Sequence, residues 1–487
     1  MSELDVLIAR VLQPGFAGTS VPDWVRRRLD GGLGSVIVFA ANIESPTQLR
    51  ALTDEVRAAN PDAFVAVDEE AGDITRLEFA TGSSSPGNLA LGAIDDVAAT
   101  EAMSRSVGTL VREAGIDLNY APVADVNTEP RNPVIGARSF GSDPALVSRH
   151  VAAAVRGLHA AGVAACAKHF PGHGDTVVDS HYGLPTVTAT LEQLRRDTLP
   201  PFSAAVEAGA RAVMVAHLLM PEFDAEHPAS VSPAVVGGLL RGELGFDGLA
   251  VTDGIGMAAV RERYGLAGAA VRALVAGMDL VCVDSNSTDD DLAAVTEAIV
   301  AALRDRTLAE ARLVEAAEKV AAFAGWRREV REAFPKEEGV LPPFDAGSAA
   351  ARRAVRVLRA EDGALPLKAA PHVIEVELPR SLATPLAGLL PGTTSSKLAD
   401  TAEAADLPAD RPLVIVVRGI QRSPEDLERV SRLIQERPDT IVVDLGVAHT
   451  DPGGAAWVAG YGISRVCVQA TAEVLAGRQR PTGGTRA

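Results

Sequence analysis

Through the first three hundred or so residues, short apolar runs rich in β-branched side chains alternate with longer stretches in which apolar residues recur every third or fourth position. That pattern predicts βα units and a parallel sheet. Eight runs read as strands: residues 11–15, 35–39, 64–68, 117–121, 163–169, 212–217, 248–253 and 279–283. Eight units in about 300 residues predict an α/β fold of the (β/α)8 TIM barrel type rather than an open doubly wound sheet. The competing dinucleotide fold lacks a G-x-G-x-x-G after its first strand. Polar residues close many of the runs, namely Asp68, Lys168 with His169, His217, Asp253 and Asp284. In a parallel barrel such ends converge on one face, the face on which active sites are built.

Residues 284–326 form a long, alanine-rich helical pattern that gives way at 327–343 to charges, Gly339 and three prolines, the marks of a linker. Beyond it, residues 354–358, 372–378, 413–417, 440–445 and 466–468 read as strands of a smaller α/β layer. A helix between two of them opens at Ser423-Pro424-Glu425-Asp426, with Ser as N-cap and Pro at the first helical position. The expected division is a catalytic barrel over 1–335, a linker over 336–347, a C-terminal α/β sandwich over 348–476 and a disordered Gly-, Arg- and Thr-rich tail over 477–487. A chain of 487 residues suits two domains, and no repeat of fixed period runs through it.

Composition narrows the partners. A formal charge of -18 and a pI near 5.0 argue against nucleic acid or an anionic membrane, both of which need clustered positive charge. Cys166, Cys282 and Cys467 are far apart within apolar runs, which reads as reduced packing residues in a reducing compartment. Acids stand near the N-terminus where a secretory signal needs positive charge, and no apolar run approaches the eighteen or so residues of a membrane span. The expectation is a cytoplasmic protein, monomer or homodimer.

The densest chemistry lies in Lys168-His169-Phe170-Pro171-Gly172-His173-Gly174-Asp175-Thr176-Val177-Val178-Asp179-Ser180-His181, six ionisable side chains in fourteen residues. The chain has only five lysines, and Lys168 is the sole one before Lys319. A compact ammonium is therefore wanted at this strand end, where the simpler alternative is a lysine snorkelling to the surface. His169, His173, Asp175, Asp179 and His181 could ligate zinc by residue type, but an adjacent lysine disfavours a cation and no metal is expected. The alternative is an acid/base loop: Asp179 and His181, one residue apart, can pair so that the carboxylate sets the imidazole tautomer and raises its basicity. Asp253, ending the run 248–253, is the candidate partner carboxylate, although any Asp before Gly254 could simply cap a helix.

Lys168 to His181, with Gly183-Leu184-Pro185 behind it, resembles the K-H-F-P-G-H-G-D-T-x-x-D-S-H-x-x-L-P signature of glycoside hydrolase family 3, in its β-N-acetylglucosaminidase (β-hexosaminidase) branch. The stretches Val67-Asp68-Glu69-Glu70-Ala71-Gly72 with Arg76, Ala121-Pro122-Val123-Ala124-Asp125-Val126-Asn127 and Ile135-Gly136-Ala137-Arg138-Ser139-Phe140 support the resemblance. It spans the first domain, and residues 353–367 look like the start of the second domain found in many members.

The resemblance implies a retaining exo-β-N-acetylglucosaminidase acting on terminal non-reducing β-linked N-acetylglucosamine of cell-wall fragments or chitooligosaccharides. Asp253 would be the nucleophile and His181 the general acid and base, tuned by Asp179. Asp68, Arg76, Arg138, Lys168 and His169 would hold the non-reducing sugar and its 2-acetamido group, with no cofactor. A neutral imidazole repels an anionic acceptor less than a carboxylate would, so phosphate is a second candidate acceptor. Two departures stand out: Gly254 where the family has a second Asp, and Asp73 in Asp68-Glu69-Glu70-Ala71-Gly72-Asp73-Ile74 where the pattern D-Q-E-G-G-R-V has Arg. Both alter the expected charge near the sugar. The rival readings are a glycoside phosphorylase or broad β-glucosidase on the same site, a non-catalytic sugar-binding barrel and a metal-dependent amidohydrolase.

Overall fold

The computed structural model describes residues 2–180, 183–334, 344–376, 378–400 and 407–481. The chain divides into two compact units: Met1–Glu70, Thr100–Val126 and Ser142–Pro342 form one, and Ala71–Ala99, Asn127–Gly141 and Pro343–Ala487 the other. In the first, each of the eight expected strands is present, all shorter than expected except β5, which keeps its length and is shifted by one residue: β1 (Leu12–Gln13), β2 (Ser35–Val38), β3 (Phe64–Val67), β4 (Leu118–Asn119), β5 (Ala164–Phe170), β6 (Ala212–Val215), β7 (Leu249–Thr252) and β8 (Val281–Cys282). Strands β2 to β7 pair in chain order, and β1 pairs in parallel with β8. A parallel bridge from Val251 to Leu280 and a 3.1 Å bond from the Ile37 N–H to the Pro14 carbonyl join the two sheets into a barrel.

Alternate strand residues turn inward, as the period of two requires. Phe64 and Ala66, Leu118 and Tyr120, Ala164 and Cys166, Ala212 and Met214, and Leu249 and Val251 share one buried cluster with Cys282. Bulky and small side chains together fill the interior, so the barrel is a packed core and not a pore. Its buried polar groups are paired: the Tyr120 hydroxyl donates to Gln13 Oε1, and Gln13 Nε2 donates to Ser35 Oγ at 3.1 Å. The three cysteines are buried and free, as expected.

The second unit is built on β9 (Arg356–Ala360), β10 (His372–Glu375), β11 (Thr394–Lys397), β12 (Leu413–Val417), β13 (Ile441–Asp444) and β14 (Ala456–Ala459), in the spatial order β11-β10-β12-β13-β14-β9. Neighbours are parallel except β9, which runs antiparallel to β14. Along β12, Leu413, Ile415 and Val417 pack with Val430 and Leu433 of the helix Pro424–Glu436. Val414 and Val416 pack on the other face with Ala351 of the helix Phe344–Ala354 and Val466 of Arg465–Leu475. Burial on both faces is why this strand reads as an unbroken apolar run. The helix Pro424–Glu436 starts where its cap predicts, with Ser423 Oγ accepting the Asp426 N–H at 3.3 Å.

Several expectations need correction. Residues 466–468 are helical: Ser464 Oγ caps the Cys467 N–H at 3.2 Å, and Val466, Cys467, Ala470 and Val474 are buried at helical spacing. A run of three apolar residues carries no period. Strands β11, polar and at an edge, and β14 fall outside the expected set. The helix Glu310–Ala333 continues past Trp326 into the expected linker, because Arg327 donates to the Ala63 and Pro61 carbonyls and Arg331 to Asp117. Residues 335–343 and 482–487 lie outside the described residues, while 344–347 begin a helix and the Arg478 N–H bonds the Glu473 carbonyl at 2.8 Å. The segments Ala71–Ala99 and Asn127–Gly141, following β3 and β4, belong to the second unit.

At the entry to β4 and β8 stand two buried carboxylates in matching roles. Asp117 Oδ2 accepts the Val65 N–H at 3.1 Å and Arg331 Nε donates to Asp117 Oδ1 at 2.8 Å. Asp279 Oδ2 accepts the Ala250 N–H at 2.9 Å, and Arg312 Nη2 donates to its Oδ1 at 2.7 Å while Arg241 also pairs with it. Each ties a strand start to its neighbour and to helices outside the barrel. Replacing Asp117 by Ala strands the buried Arg327 charge, the half-buried Arg331 charge and the Val65 N–H, and is expected to cost roughly 3 kcal/mol in urea unfolding. Asp117→Asn, which keeps an acceptor, is expected to cost less.

Candidate active site

The polar strand ends of the barrel do gather on one face, because the strands that carry them are parallel neighbours. Asp68 follows β3, Lys168 and His169 lie in β5, His217 lies two residues beyond β6, and Asp253 follows β7. Lys168 does not snorkel. Its side chain is 2% exposed, and Nζ lies 2.6 Å from Asp68 Oδ1 and 2.5 Å from Glu70 Oε1. The loop bearing both carboxylates is held by Asn119, whose Oδ1 accepts the Glu69 N–H at 3.0 Å and whose Nδ2 donates to the Glu69 carbonyl at 2.8 Å. One side chain thereby does the work of a strand neighbour for a residue beyond the strand.

His169 Nδ1 lies 2.7 Å from Asp125 Oδ2, and Asp125 also accepts the backbone N–H of His173 at 2.6 Å. Burial works against the charge on Asp125, but the His169 ring and the donors around the carboxylate more than offset it and hold the group below its ordinary pKa. An ionised Asp125 takes the proton on Nδ1, so Nε2 faces away from it. His173 has a different job. Thr176 Oγ1 donates to the His173 carbonyl and must accept from Nδ1–H at 2.8 Å, while Nε2 receives the Ser180 hydroxyl at 3.1 Å. Burial, reinforced by the charge on His169, pushes the His173 pKa down to about 4. The neutral ring pins the loop that leads to Asp179, with its ring nitrogens engaged by hydroxyls and not turned to a metal. Among the described residues no cluster of three or more His, Cys, Asp or Glu could hold a metal ion.

Asp253 is not a helix cap. Its Oδ1 accepts the adjacent Gly254 N–H at 2.8 Å, and the helix that follows, Ala258–Ala276, begins after Met257 without a side-chain cap. Burial would raise this carboxyl, but His169, His217, the Gly254 N–H and Lys168 outweigh it and hold it below the ordinary value. His217, fully buried, donates Nε2–H to the Gly254 carbonyl at 2.9 Å, since a carbonyl can only accept, and its Nδ1 lies 2.6 Å from the Ser230 hydroxyl. The turn that presents Asp253 is thus fixed from behind. At Gly254 itself a Cβ would meet nothing closer than 3.9 Å, so packing does not force the glycine that departs from the family pattern.

Residues 13–323, most of the barrel sequence, match the Glycosyl hydrolase family 3 N terminal domain. The chain belongs to this family. Over 269 residues it is 39% identical to the β-hexosaminidase of Pseudomonas aeruginosa, 54% of this chain against 79% of that one. It is 35% identical over 270 residues to β-hexosaminidase A of Pseudoalteromonas piscicida, 51% of this chain, and spans 45% of that longer protein. Among solved structures, a glycoside hydrolase family 3 β-N-acetylglucosaminidase from Paenibacillus sp. FPU-7 superposes with a TM-score of 0.88 at 31% identity, covering 99% of this chain and 98% of that one. The chain is therefore a glycoside hydrolase with the family's barrel followed by an α/β sandwich.

Of the family 3 residues expected from the sequence, Asp68, Lys168, His169 and Asp253 come together on the barrel face. Asp179 is partly exposed on the loop after β5, its carbonyl accepting the Gly183 N–H at 3.0 Å. His181 lies outside the described residues. Arg76 and Arg138 belong to the two segments of the second unit, where Arg138 Nη1 donates to the Val134 carbonyl at 3.0 Å. Glu70, Asn119, Asp125 and His217 are the participants that were not singled out as site residues. Glu70 and Asp125 stood within the motif stretches themselves, so their signal was present.

Because folded His173 gains its proton only near pH 4 and the unfolded chain gains it near 6.5, unfolding takes up a proton between those values. The stability this histidine lends is present above pH 6.5 and lost as the pH falls toward 4. The stability gap between wild type and His173→Gln, measured by urea unfolding, is expected to narrow by on the order of 2–3 kcal/mol between pH 7 and 4.5.

Proposed function

We propose that this chain is a retaining exo-β-N-acetylglucosaminidase that releases terminal β-linked N-acetylglucosamine from cell-wall fragments or chitooligosaccharides, with Asp253 as nucleophile. The observation that carries the reading is Asp253 itself. It is a carboxylate at the end of β7 that caps no helix, and it is kept ionised by His169, His217, the Gly254 N–H and Lys168. A nucleophile must be anionic when it attacks, and this one is. The names of the β-hexosaminidase and β-N-acetylglucosaminidase relatives support the sugar, and the three buried free thiols support a reducing, cytoplasmic location.

In the first step Asp253 attacks the anomeric carbon while the bond to the leaving oxygen breaks and protonated His181, polarised by Asp179, gives that oxygen its proton. In the second step neutral His181 takes a proton from water, whose oxygen attacks the anomeric carbon and frees the Asp253 carboxylate. Asp68, Lys168 and His169, with Arg76 and Arg138, bind the sugar and its 2-acetamido group. Asp125 serves this arrangement by keeping His169 in one tautomer, and Lys168 by orienting Asp68.

The test is release of nitrophenol from 4-nitrophenyl N-acetyl-β-glucosaminide. Asp253→Ala is expected to lose at least about 10³-fold in kcat, and Asp179→Asn roughly 10²–10⁴-fold. Retention of the β-configuration in the first-formed sugar, read by NMR, is expected for the wild type. A wild type inert on this substrate and on the glucoside would overturn the reading in favour of a binding protein. Sugar 1-phosphate formed in phosphate buffer would move the enzyme to the phosphorylases.

A further inference from the structure

Asp73, where the family pattern has Arg, adds no exposed charge. Its side chain is 2% exposed, with Oδ2 at 2.6 Å from Arg418 Nη2 and 3.1 Å from Arg418 Nε, and with Oδ1 accepting the Ile463 N–H at 2.9 Å. Asp73 stands three residues before Arg76, in a short turn packed directly against Gly87. Gly72, at φ +61, and Gly87, at φ +90, touch so closely that a Cβ on either would lie within 3 Å of the other's Cα. The reversal of charge at position 73 is therefore matched by a cation that the second unit supplies.

The same loop that provides Arg418 also holds the segment bearing Arg138. Arg418 is the first residue beyond β12, and the neighbouring Gln421 Nε2 donates to the Pro130 carbonyl at 3.1 Å and to the Val447 carbonyl at 2.9 Å. Arg422 Nη2 donates to the Pro133 carbonyl at 2.8 Å. Arg138 follows five residues later in the turn Gly136–Arg138, and its own carbonyl accepts from Asn88 Nδ2 at 2.7 Å. Behind the loop, buried Asp444 at the end of β13 receives the N–H of Gly419 at 2.8 Å and of Gly446 at 2.7 Å. Thus one hydrogen-bonded loop at the ends of β12 and β13 reaches both arginine-bearing segments.

We infer that the second unit is a positioning frame for Arg76 and Arg138, with Arg418 on Asp73 and Arg422 on the Pro133 carbonyl as its positioning residues. This rests on the reading of those two arginines as sugar-binding groups. The frame acts on binding of the non-reducing sugar and not on proton or glycosyl transfer, so it is felt in KM more than in kcat.

The experiment compares steady-state hydrolysis of 4-nitrophenyl N-acetyl-β-glucosaminide by the full-length wild type, Arg418→Met, Arg418→Lys, Arg422→Met, Arg76→Met and Arg138→Met, with melting curves for each. The expected result is a rise of about tenfold in KM for Arg418→Met and a smaller rise for Arg422→Met, with kcat within about threefold and Arg418→Lys restoring most of the loss. A purely structural role would lower the melting temperature and the active fraction while leaving KM unchanged, and that result overturns the inference. If Arg418→Met fails to fold, Arg422→Met decides by the same criterion. Unchanged KM in both Arg76→Met and Arg138→Met would remove the sugar-binding reading of the arginines and the inference with it. A rise in those two alone would overturn only the frame.

Discussion

The catalytic face depends on one buried ammonium. Lys168 sits almost wholly out of water between Asp68 and Glu70, and removing such a charge from water costs several kcal/mol per ion unless its partners are close and fixed. The partners are fixed by Asn119, which holds the Glu69 backbone in place of a strand neighbour. Asp68 can accordingly present one oxygen to the ammonium and keep the rest of its carboxylate partly exposed. A guanidinium could not occupy this position between two carboxylates as a compact point charge, and that accounts for a lysine in a chain that otherwise prefers arginine. The same ammonium contributes to keeping Asp253 ionised, so Asp68 and Asp253 share one source of charge.

Three histidines around this centre have the same side chain and three different uses, each set by the partner. A carboxylate takes Nδ1–H of His169 and leaves Nε2 as the outward nitrogen. Two hydroxyls take both nitrogens of His173, so burial prevails and the ring stays neutral well below its ordinary pKa. A backbone carbonyl takes Nε2–H of His217 and so braces the turn after β7. Identity of residue type says little about role here: His169 and His173 both carry the proton on Nδ1 and His217 carries it on Nε2, and the partner of each ring decides what that ring does.

The loops after β3 and β4 are long for βα connections, and in this protein they do not stand alone. They fold with the second sheet, where Arg418, Gln421 and Arg422 satisfy a carboxylate and two carbonyls that a surface loop would otherwise leave to water. An α/β layer with few polar residues at its strand ends still has a defined task in this arrangement, through the backbone and side chains of a single loop.

The amino-acid sequence by itself determined the eight barrel strands, the convergence of Asp68, Lys168, His169 and Asp253, the cap of the helix Pro424–Glu436 and the family, because each is written in local periodicity or in a contiguous motif. It misassigned residues 466–468 and passed over β11 and β14, since three apolar residues in a helix and a polar edge strand carry no readable period, and the four buried residues of β14 are too short an apolar run to be told from other structure. Tertiary structure alone established that Asp253 caps nothing, that His173 is a neutral pin and that Asp117 and Asp279 tie the strand entries to arginines far away in the chain. It also revealed that the unusual Asp73 answers Arg418, 345 residues later. Pairings of this kind depend on which groups burial brings within hydrogen-bond distance, a quantity that no window of sequence contains.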